Sequence, residues 1–556
     1  MDNTNLSKIR RDKMLNTINE IKRSITDEEV LTNLSMIENE LTKKKYGLIW
    51  EEHEERVDKE LETQIPTFEE VKDKEIVSNP DDKFNFLLEG DNLHSLYLLE
   101  KTHKGKIDVI YIDPPYNTGK KNEWKYNDLW VDENDSYKHS KWLSFMYRRL
   151  EIASTLLSEN GVIFISIDEH EVSQLSLLCQ DIFDEINLDY IIWQKTDSRV
   201  DRNTNAKIIK RYKNIHETIL VCYKNKSNTE FNKMMKLPEW KNKQTNPDND
   251  PRGAWSSGII SYEEGHKNED KSSPYYYSII TPSGKVYTRH WFVLKEEFER
   301  LRADNRISFP KNGDGVPRIK TFENEEKEYY MESILRGVGT SSTSKDELIT
   351  LFGDRNIFDT PKPTKLIKEI IRVAAKKDSI ILDFFAGSGT TAQAVLELNE
   401  EDKGNRKFIL CTNNENKICE DITYQRIKTV ITGKRKDESK YSEGIKANLK
   451  YYKCTYIPKI NTEDENLHNN LQINIKNLIQ LENGTGIDDN KIKVYLNEDE
   501  LDKFSKNQSE LNICEKVYIS SDILLTSMQE AIFKNNNIEV YIIPEYYFED
   551  EIMEVM

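Results

Sequence analysis

The chain has 556 residues and a mass of 65.4 kDa, enough for about two to four packed domains and far too much for a peptide or a disulfide miniprotein. Hydrophobic residues make up 37% and charged residues 32%, and no apolar run approaches the ~18 to 20 residues that cross a bilayer. With a polar start over Met1 to Lys13, the expectation is a cytoplasmic protein with no membrane partner. Cys179, Cys222, Cys411, Cys419, Cys454 and Cys514 are scattered, form no C-x-x-C pair and stand near no histidine at zinc-finger spacing, so reduced structural thiols and no metal site are expected.

The net charge of −18 speaks against a polyanion partner only if it is spread evenly, and it is not. From Ile460 to Met556 there are 7 Lys and Arg against 20 Asp and Glu, so most of the acid belongs to the tail. Between Lys195 and Lys243 the balance reverses, with 13 basic and 5 acidic residues, with Trp193 just before the segment and Tyr212, Tyr223, Phe231 and Trp240 interleaved in it. That segment is a candidate nucleic-acid surface, with Lys195, Arg199, Arg202, Lys210 and Arg211 as candidate phosphate contacts; a lysine-rich solvated loop fits the composition equally well.

Residues 7 to 62 carry Leu, Ile and Met at three- and four-residue steps with almost no Gly or Pro, the pattern of a helical arm within an N-terminal region 1–65. Pro66 and the polar run Ser78 to Asp82 punctuate the chain before an α/β rhythm opens over 66–224. Strands are predicted at Lys106 to Ile112, Gly161 to Ile167 and Glu217 to Tyr223, and helices at His139 to Ser158 and Val172 to Phe183. The rhythm breaks over 225–357, where Gly, Pro, Asn and aromatic residues suggest an inserted module. It resumes over 358–453 with a helix at Thr364 to Ala375, a strand at Ser379 to Phe384, a helix at Thr390 to Leu398, a strand at Arg406 to Thr412 and a helix at Lys417 to Val430. One largely parallel α/β sheet built from both halves is expected, followed over 454–556 by a small acidic α+β domain.

Two sites carry chemistry. In Ile381-Leu382-Asp383-Phe384-Phe385-Ala386-Gly387-Ser388-Gly389-Thr390-Thr391 a strand ends in an acid, a glycine turn and a helix start, which is how open α/β sheets cradle a ligand at their carboxyl edge. The segment has neither G-x-G-x-x-G nor the Lys-Ser/Thr of a phosphate loop, so a nucleoside bearing an amino acid fits better than a phosphate. Asn413, Asn414 and Glu415, about twenty residues past the turn, are placed to meet ribose hydroxyls. A ligand-free tight turn is the bland reading of the glycines alone.

The second site is Asp113-Pro114-Pro115-Tyr116-Asn117-Thr118-Gly119, directly after the predicted strand KIDVIYI. Two prolines fix the backbone and leave carbonyls as acceptors. An exocyclic adenine amine is a poor nucleophile, and a carboxylate (Asp113) with a carbonyl (Pro114) can accept its two N–H bonds while Tyr116 stacks on the base. His170 and His216 read as structural, and the run Tyr275 to Tyr277 as base stacking or local core.

DPPYNTG resembles the catalytic motif of amino-methylating DNA methyltransferases, and DFFAGSGTT resembles their S-adenosylmethionine motif, in the beta-class order with the insert between them. Further matches run through EGDNLHSL, DSYKHSKWLSFMYRRL, GVIFISIDEHE, FDTPKPTKLI and TNNENKICEDITYQRIK, so that Asn39 to Lys453 is similar to the modification (Mod) subunit of type III restriction-modification systems. The resemblance implies a Rossmann-like S-adenosylmethionine-dependent methyltransferase sheet with circularly permuted motif order and an inserted target-recognition domain. It implies transfer to adenine N6, since the motif begins with an acid, with cytosine N4 as the alternative. It further implies Asp113, Pro114, Pro115 and Tyr116 as catalytic residues. For the cofactor it implies Asp91, Asp113, Phe358, Thr360, Lys362, Asp383, Phe384, Phe385, Ala386, Gly387, Ser388, Gly389, Thr390 and Glu415. Double-stranded DNA, a restriction subunit and a second copy of the chain are the implied partners, and methylation from a sulfonium donor asks for no metal.

Overall fold

The structure, a computed structural model, describes residues 6–25, 27–42, 55–80, 82–118, 138–197, 213–236, 245–458, 464–486 and 491–543. It divides into two compact units, Met1–Glu230 with Ser333–Met556, and Phe231–Glu332.

The larger unit is organised by a sheet whose strands run, in spatial order, Gln64–Glu70, Asn448–Pro458, Phe84–Glu89, Lys407–Thr412, Ile380–Asp383, Ile107–Ile112, Leu157–Ile167, His216–Tyr223, Leu188–Gln194 and Ile334–Leu335. The two sequence halves meet in its middle, where Ile380–Asp383 pairs parallel with Lys407–Thr412 on one side and with Ile107–Ile112 on the other. These central strands are near-continuous apolar runs (IDVIYI, IILD, KFILCT) because helices cover both faces of a parallel sheet. The expected parallel order fails at His216–Tyr223, which is antiparallel to both Leu157–Ile167 and Leu188–Gln194, a pairing that needs no crossover between strands.

Several boundaries differ from the sequence expectation. The N-terminal pattern yields helices Leu6–Ser24, Glu28–Thr42 and Arg56–Thr63, and part of the expected arm lies outside the described residues. Pro66 does not interrupt the chain: it sits inside Gln64–Glu70, an edge strand opposite Tyr456, where a missing N–H costs no central ladder bond. The compact inserted unit is 231–332 rather than 225–357; Ile334–Leu335 joins the large sheet beside Leu188–Gln194, and Ser341–Phe352 is a helix capped by Thr340. Beyond residue 453, the helix Asp464–Asn483 buries Ile475, Leu478, Ile479 and Leu481 in the main core, and Asn477 donates to the Phe68 carbonyl of the edge strand at 2.5 Å. Only after it do Ile492–Tyr495, Lys516–Ile519 and Glu539–Ile542 form a separate three-stranded parallel sheet over a core that includes Leu501, Phe504, Val517 and Phe533.

Within 231–332, Trp255–Ile259, Arg318–Phe322 and Ile307–Ser308 form one small sheet, and Tyr276–Ile280 pairs with Val286–His290. Ile260, Ile279, Trp291, Phe298 and Ile307 are its core. Tyr277 stacks on Trp291 and donates to the Val293 carbonyl, so this member of the Tyr275 to Tyr277 run is structural. All six cysteines are free and buried. Among the described residues no helix is long and apolar enough to cross a membrane.

Arg149, on the helix Lys138–Leu156, is fully buried and grips Glu55 with two nitrogens at 2.9 and 3.0 Å, Asn92 at 2.6 Å and the Phe145 carbonyl at 2.8 Å. Asn92 in turn donates to the Phe384 carbonyl, carrying this hub to the end of the strand Ile380–Asp383. Removing one partner of a buried ion pair leaves the other uncompensated. Arg149→Met is therefore expected to cost about 3 to 5 kcal/mol, read as a lower denaturant midpoint; an unchanged midpoint would show that the pair contributes nothing.

Candidate active site

Ile107–Ile112 ends in Asp113, and the prolines that follow are clamped from behind: the buried indole of Trp142 donates to the Pro115 carbonyl at 2.7 Å. The next turn closes through Asn117, held at φ 57° in the left-handed region that asparagine tolerates. Its buried amide donates to Glu171 Oε1 and to the Lys138 carbonyl, and His139 Nδ1 lies 2.7 Å from the same Glu171 oxygen. With both ends fixed, the Tyr116 hydroxyl donates to Asp113 Oδ1 at 2.7 Å and lies 3.2 Å from Glu217 Oε2.

The far half of the sequence enters through Lys362, just before the helix Thr364–Ala374. Its ammonium donates to Asp113 Oδ1 at 2.6 Å and to the Tyr116 hydroxyl at 2.8 Å, 3.4 Å from Glu217 Oε2 and 5.1 Å from the Tyr116 ring centre. Lys362 was expected among the cofactor contacts; the structure puts it on the proposed catalytic carboxylate, because two carboxylates draw one ammonium. Burial works against the ammonium, but Asp113 and Glu217 outweigh it and hold the Lys362 pKa above its ordinary value. Burial lifts Asp113 above the ordinary carboxylate range; Lys362 pulls it down, and the second carboxylate, Glu217, pushes it up.

On the neighbouring strand Asp383 is buried and accepts hydrogen bonds from the Phe385 amide at 3.0 Å and the Thr391 hydroxyl at 2.5 Å. Burial, against those two hydrogen bonds, raises its pKa to about 7. Phe384, Phe385, Ala386, Gly387, Ser388, Gly389 and Thr390 are buried around it. Gly387 and Gly389 have φ of 49° and 76°, and a Cβ would stand 3.1 Å from the Phe358 ring at the first and 3.2 Å from Thr423 at the second. The glycines thus answer close packing inside the protein as well as the left-handed backbone. Arg426, fully buried, binds this turn to the Lys362 segment: it donates to Thr390 Oγ1, Gln393 Oε1 and Thr364 Oγ1, and pairs with Glu347 at 3.1 Å.

Other predicted residues fall variously. Asp91 caps the helix Asn92–His103 by accepting from the Leu93 amide at 2.8 Å, and lies 3.4 Å from Arg149. Phe358 is half-buried against Gly387, and Thr360 is exposed. Glu415 is exposed on the turn Glu415–Lys417; the buried carboxylate nearby is Glu89, at the end of Phe84–Glu89, which receives Asn414 at 3.2 Å and the Tyr451 hydroxyl. Of the candidate DNA contacts, Lys195 is half-buried and paired with Glu217 at 3.3 Å, whereas Arg199, Arg202, Lys210 and Arg211 lie outside the described residues. Trp193 belongs to the core, its indole donating to the Gly339 carbonyl, so it is not a surface aromatic. His170 pairs with Asp168. Glu217, Arg426 and Trp142 escaped the sequence reading because none stands in a glycine or proline motif; the apolar run ETILVCY pointed to a strand but not to a partner for the acid at its head.

Residues 107–425 match the N6/N4 methyltransferase family, described as DNA methylase. Over 350 residues the chain is 37% identical to the type III restriction-modification enzyme StyLTI Mod subunit of Salmonella typhimurium, covering 59% of this chain and 52% of that one. It is 31% identical over 444 residues to the EcoPI Mod subunit of Escherichia phage P1, covering 70% of this chain and 66% of that one. The chain therefore spans about half to two thirds of the length of these relatives. Among solved structures, the PvuII DNA methyltransferase (cytosine-N4-specific) aligns with a TM-score of 0.31 and 13% identity, over 63% of this chain and 94% of that one.

The raised pKa of Asp383 has a pH consequence of fixed sign. A carboxyl that ionises near 7 when folded but near 4 when unfolded favours the folded state at low pH, and that stability is lost as pH rises towards 7. Asp383→Asn carries no such charge. The stability of the variant relative to the unsubstituted, ligand-free protein is expected to improve steadily between about pH 4 and pH 7; a flat difference in thermal midpoint across that window would refute it.

Proposed function

The chain belongs to the N6/N4 DNA methylase family, and from that footing we propose that it is a site-specific methyltransferase that moves a methyl group from S-adenosyl-L-methionine to adenine N6 in duplex DNA, as the modification subunit of a type III restriction-modification system. The observation that carries this reading is Asp113, a carboxylate fixed at the end of a central parallel strand, beside the strand that ends in Asp383.

Asp383 tests the fit of the cofactor. The Phe385 amide and the Thr391 hydroxyl that donate to it are neutral, which suits a ligand that brings its own positive charge. Phe385 and the backbone from Ala386 to Thr390 would hold that ligand, with Phe358 against the turn. When bound, S-adenosyl-L-methionine supplies an electrophilic methyl group. Everything else is the work of the chain. The target amine has its lone pair delocalised into the ring, and Asp113 with the Pro114 carbonyl accepts its two N–H bonds and favours the more nucleophilic form. Tyr116 stacks on the base, which has left the duplex, a contact worth about 1 to 3 kcal/mol. The Trp142 clamp on Pro115 keeps this acceptor pair from drifting.

By the same reading the lysine-rich stretch that follows Lys195, as far as Lys243, contacts the DNA backbone, the unit 231–332 contributes to target recognition, and a restriction subunit supplies cleavage. The protein works in the cytoplasm as a homodimer, with the N-terminal helices as the candidate contact. Single-molecule sequencing of DNA from cells expressing the protein tests the core of the proposal. N6-methyladenine in one short motif, absent with Asp113→Ala, is the expected result. N4-methylcytosine instead would move the target base, and methylation that persists in the variant would sink the role of Asp113.

A further inference from the structure

Glu217 heads the strand His216–Tyr223, opposite Trp193 on Leu188–Gln194, and its side chain is mostly buried. One oxygen, Oε1, meets Lys195 at 3.3 Å. The other, Oε2, faces the Tyr116 hydroxyl at 3.2 Å and Lys362 at 3.4 Å, while Lys362 stands 2.6 Å from Asp113. A single ammonium thus lies between two carboxylates, close to one and within a small movement of the other. The charged and titratable groups facing Asp113 are Lys362, Glu217, Tyr116, Tyr111 and Asp383.

We propose that Glu217 is a positioning residue of the methyl-transfer centre, sharing the Lys362 ammonium with Asp113 and taking it over when a substrate amine occupies Asp113. The inference rests on the methyltransferase reading above. An ammonium on the carboxylate that should accept the amine's N–H weakens that acceptor and repels the positive charge growing on the attacking nitrogen. A buried ammonium cannot simply be released without a partner. Glu217 provides one less than ~1 Å beyond present contact, within the reach of a flexible lysine stem. Lys195, already on Oε1, keeps Glu217 turned so that Oε2 is the oxygen offered.

Charge arithmetic gives the test. Glu217→Gln leaves Lys362 with Asp113 as its one carboxylate, so kcat is expected to fall on the order of 100-fold with little change in KM for DNA or S-adenosyl-L-methionine. Lys362→Met leaves two partly buried carboxylates together, with Lys195 still on Glu217, so the acid limb of the kcat profile moves to higher pH. The double variant removes one charge of each sign and leaves Asp113 as it stands after the handover. It is expected to be about 10-fold faster than Glu217→Gln. Glu217→Asp, which keeps the charge at longer reach, is expected to fall between the unsubstituted enzyme and Glu217→Gln, and guards against a variant that merely misfolds. The assay is transfer of labelled methyl to duplex DNA by the full chain. Wild-type kcat in Glu217→Gln, or a double variant as slow as the slower single, overturns the role given to Glu217. Failure of the unsubstituted protein to transfer methyl at all would instead remove the proposed reaction.

Discussion

The centre of this protein depends on one ammonium group. Lys362 lies nearly two hundred and fifty residues after Asp113 in the chain, yet its Nζ reaches Asp113, Tyr116 and Glu217 together. In water such a contact would be worth little, because solvent screens it and the side chains lose freedom. Here the groups are held away from solvent, so an uncompensated carboxylate would be costly and the ion pair becomes a constraint on where both segments can sit. The loop after the first central strand and the segment before the helix Thr364–Ala374 are thereby tied together at one edge of the sheet.

Around that ammonium the supporting contacts come from side chains with fixed hydrogen-bonding geometry. Trp142 holds Pro115, Arg149 reaches the Phe384 carbonyl through Asn92, and Arg426 joins the glycine turn to Thr364 and Glu347. Two buried guanidiniums do this work because each offers several donors in a rigid plane and stays charged. The arrangement fixes the loops at the carboxyl edge, which must be ordered without strands of their own.

The glycine turn shows how a motif can have more than one cause. From sequence it is a cradle for a ligand; in the fold, the Phe358 ring and Thr423 stand where side chains at Gly387 and Gly389 would go. A close ligand and a close protein neighbour make the same demand on Cβ, so the sequence could not distinguish them. Lys195 and Trp193 were ambiguous in a similar way. Both lie in the basic, aromatic stretch that suggested a surface, but one pairs with Glu217 and the other is in the core.

By itself the sequence determined the elements whose signal is local. The β-branched runs at 107–112, 380–383 and 407–412 became central strands, Val172–Phe183 a helix at its expected bounds, and the two motifs fell at strand ends. Those outcomes follow from periodicity and from Gly and Pro, which act through neighbouring residues. Tertiary structure alone decided that Pro66 lies in an edge strand, that His216–Tyr223 runs antiparallel, and that Lys362 and Glu217 converge on Asp113. Each depends on which distant strand becomes a neighbour. A charge in a sequence does not carry its partner with it: burial makes pairing necessary, and only the packed sheet says which opposite charge is within reach.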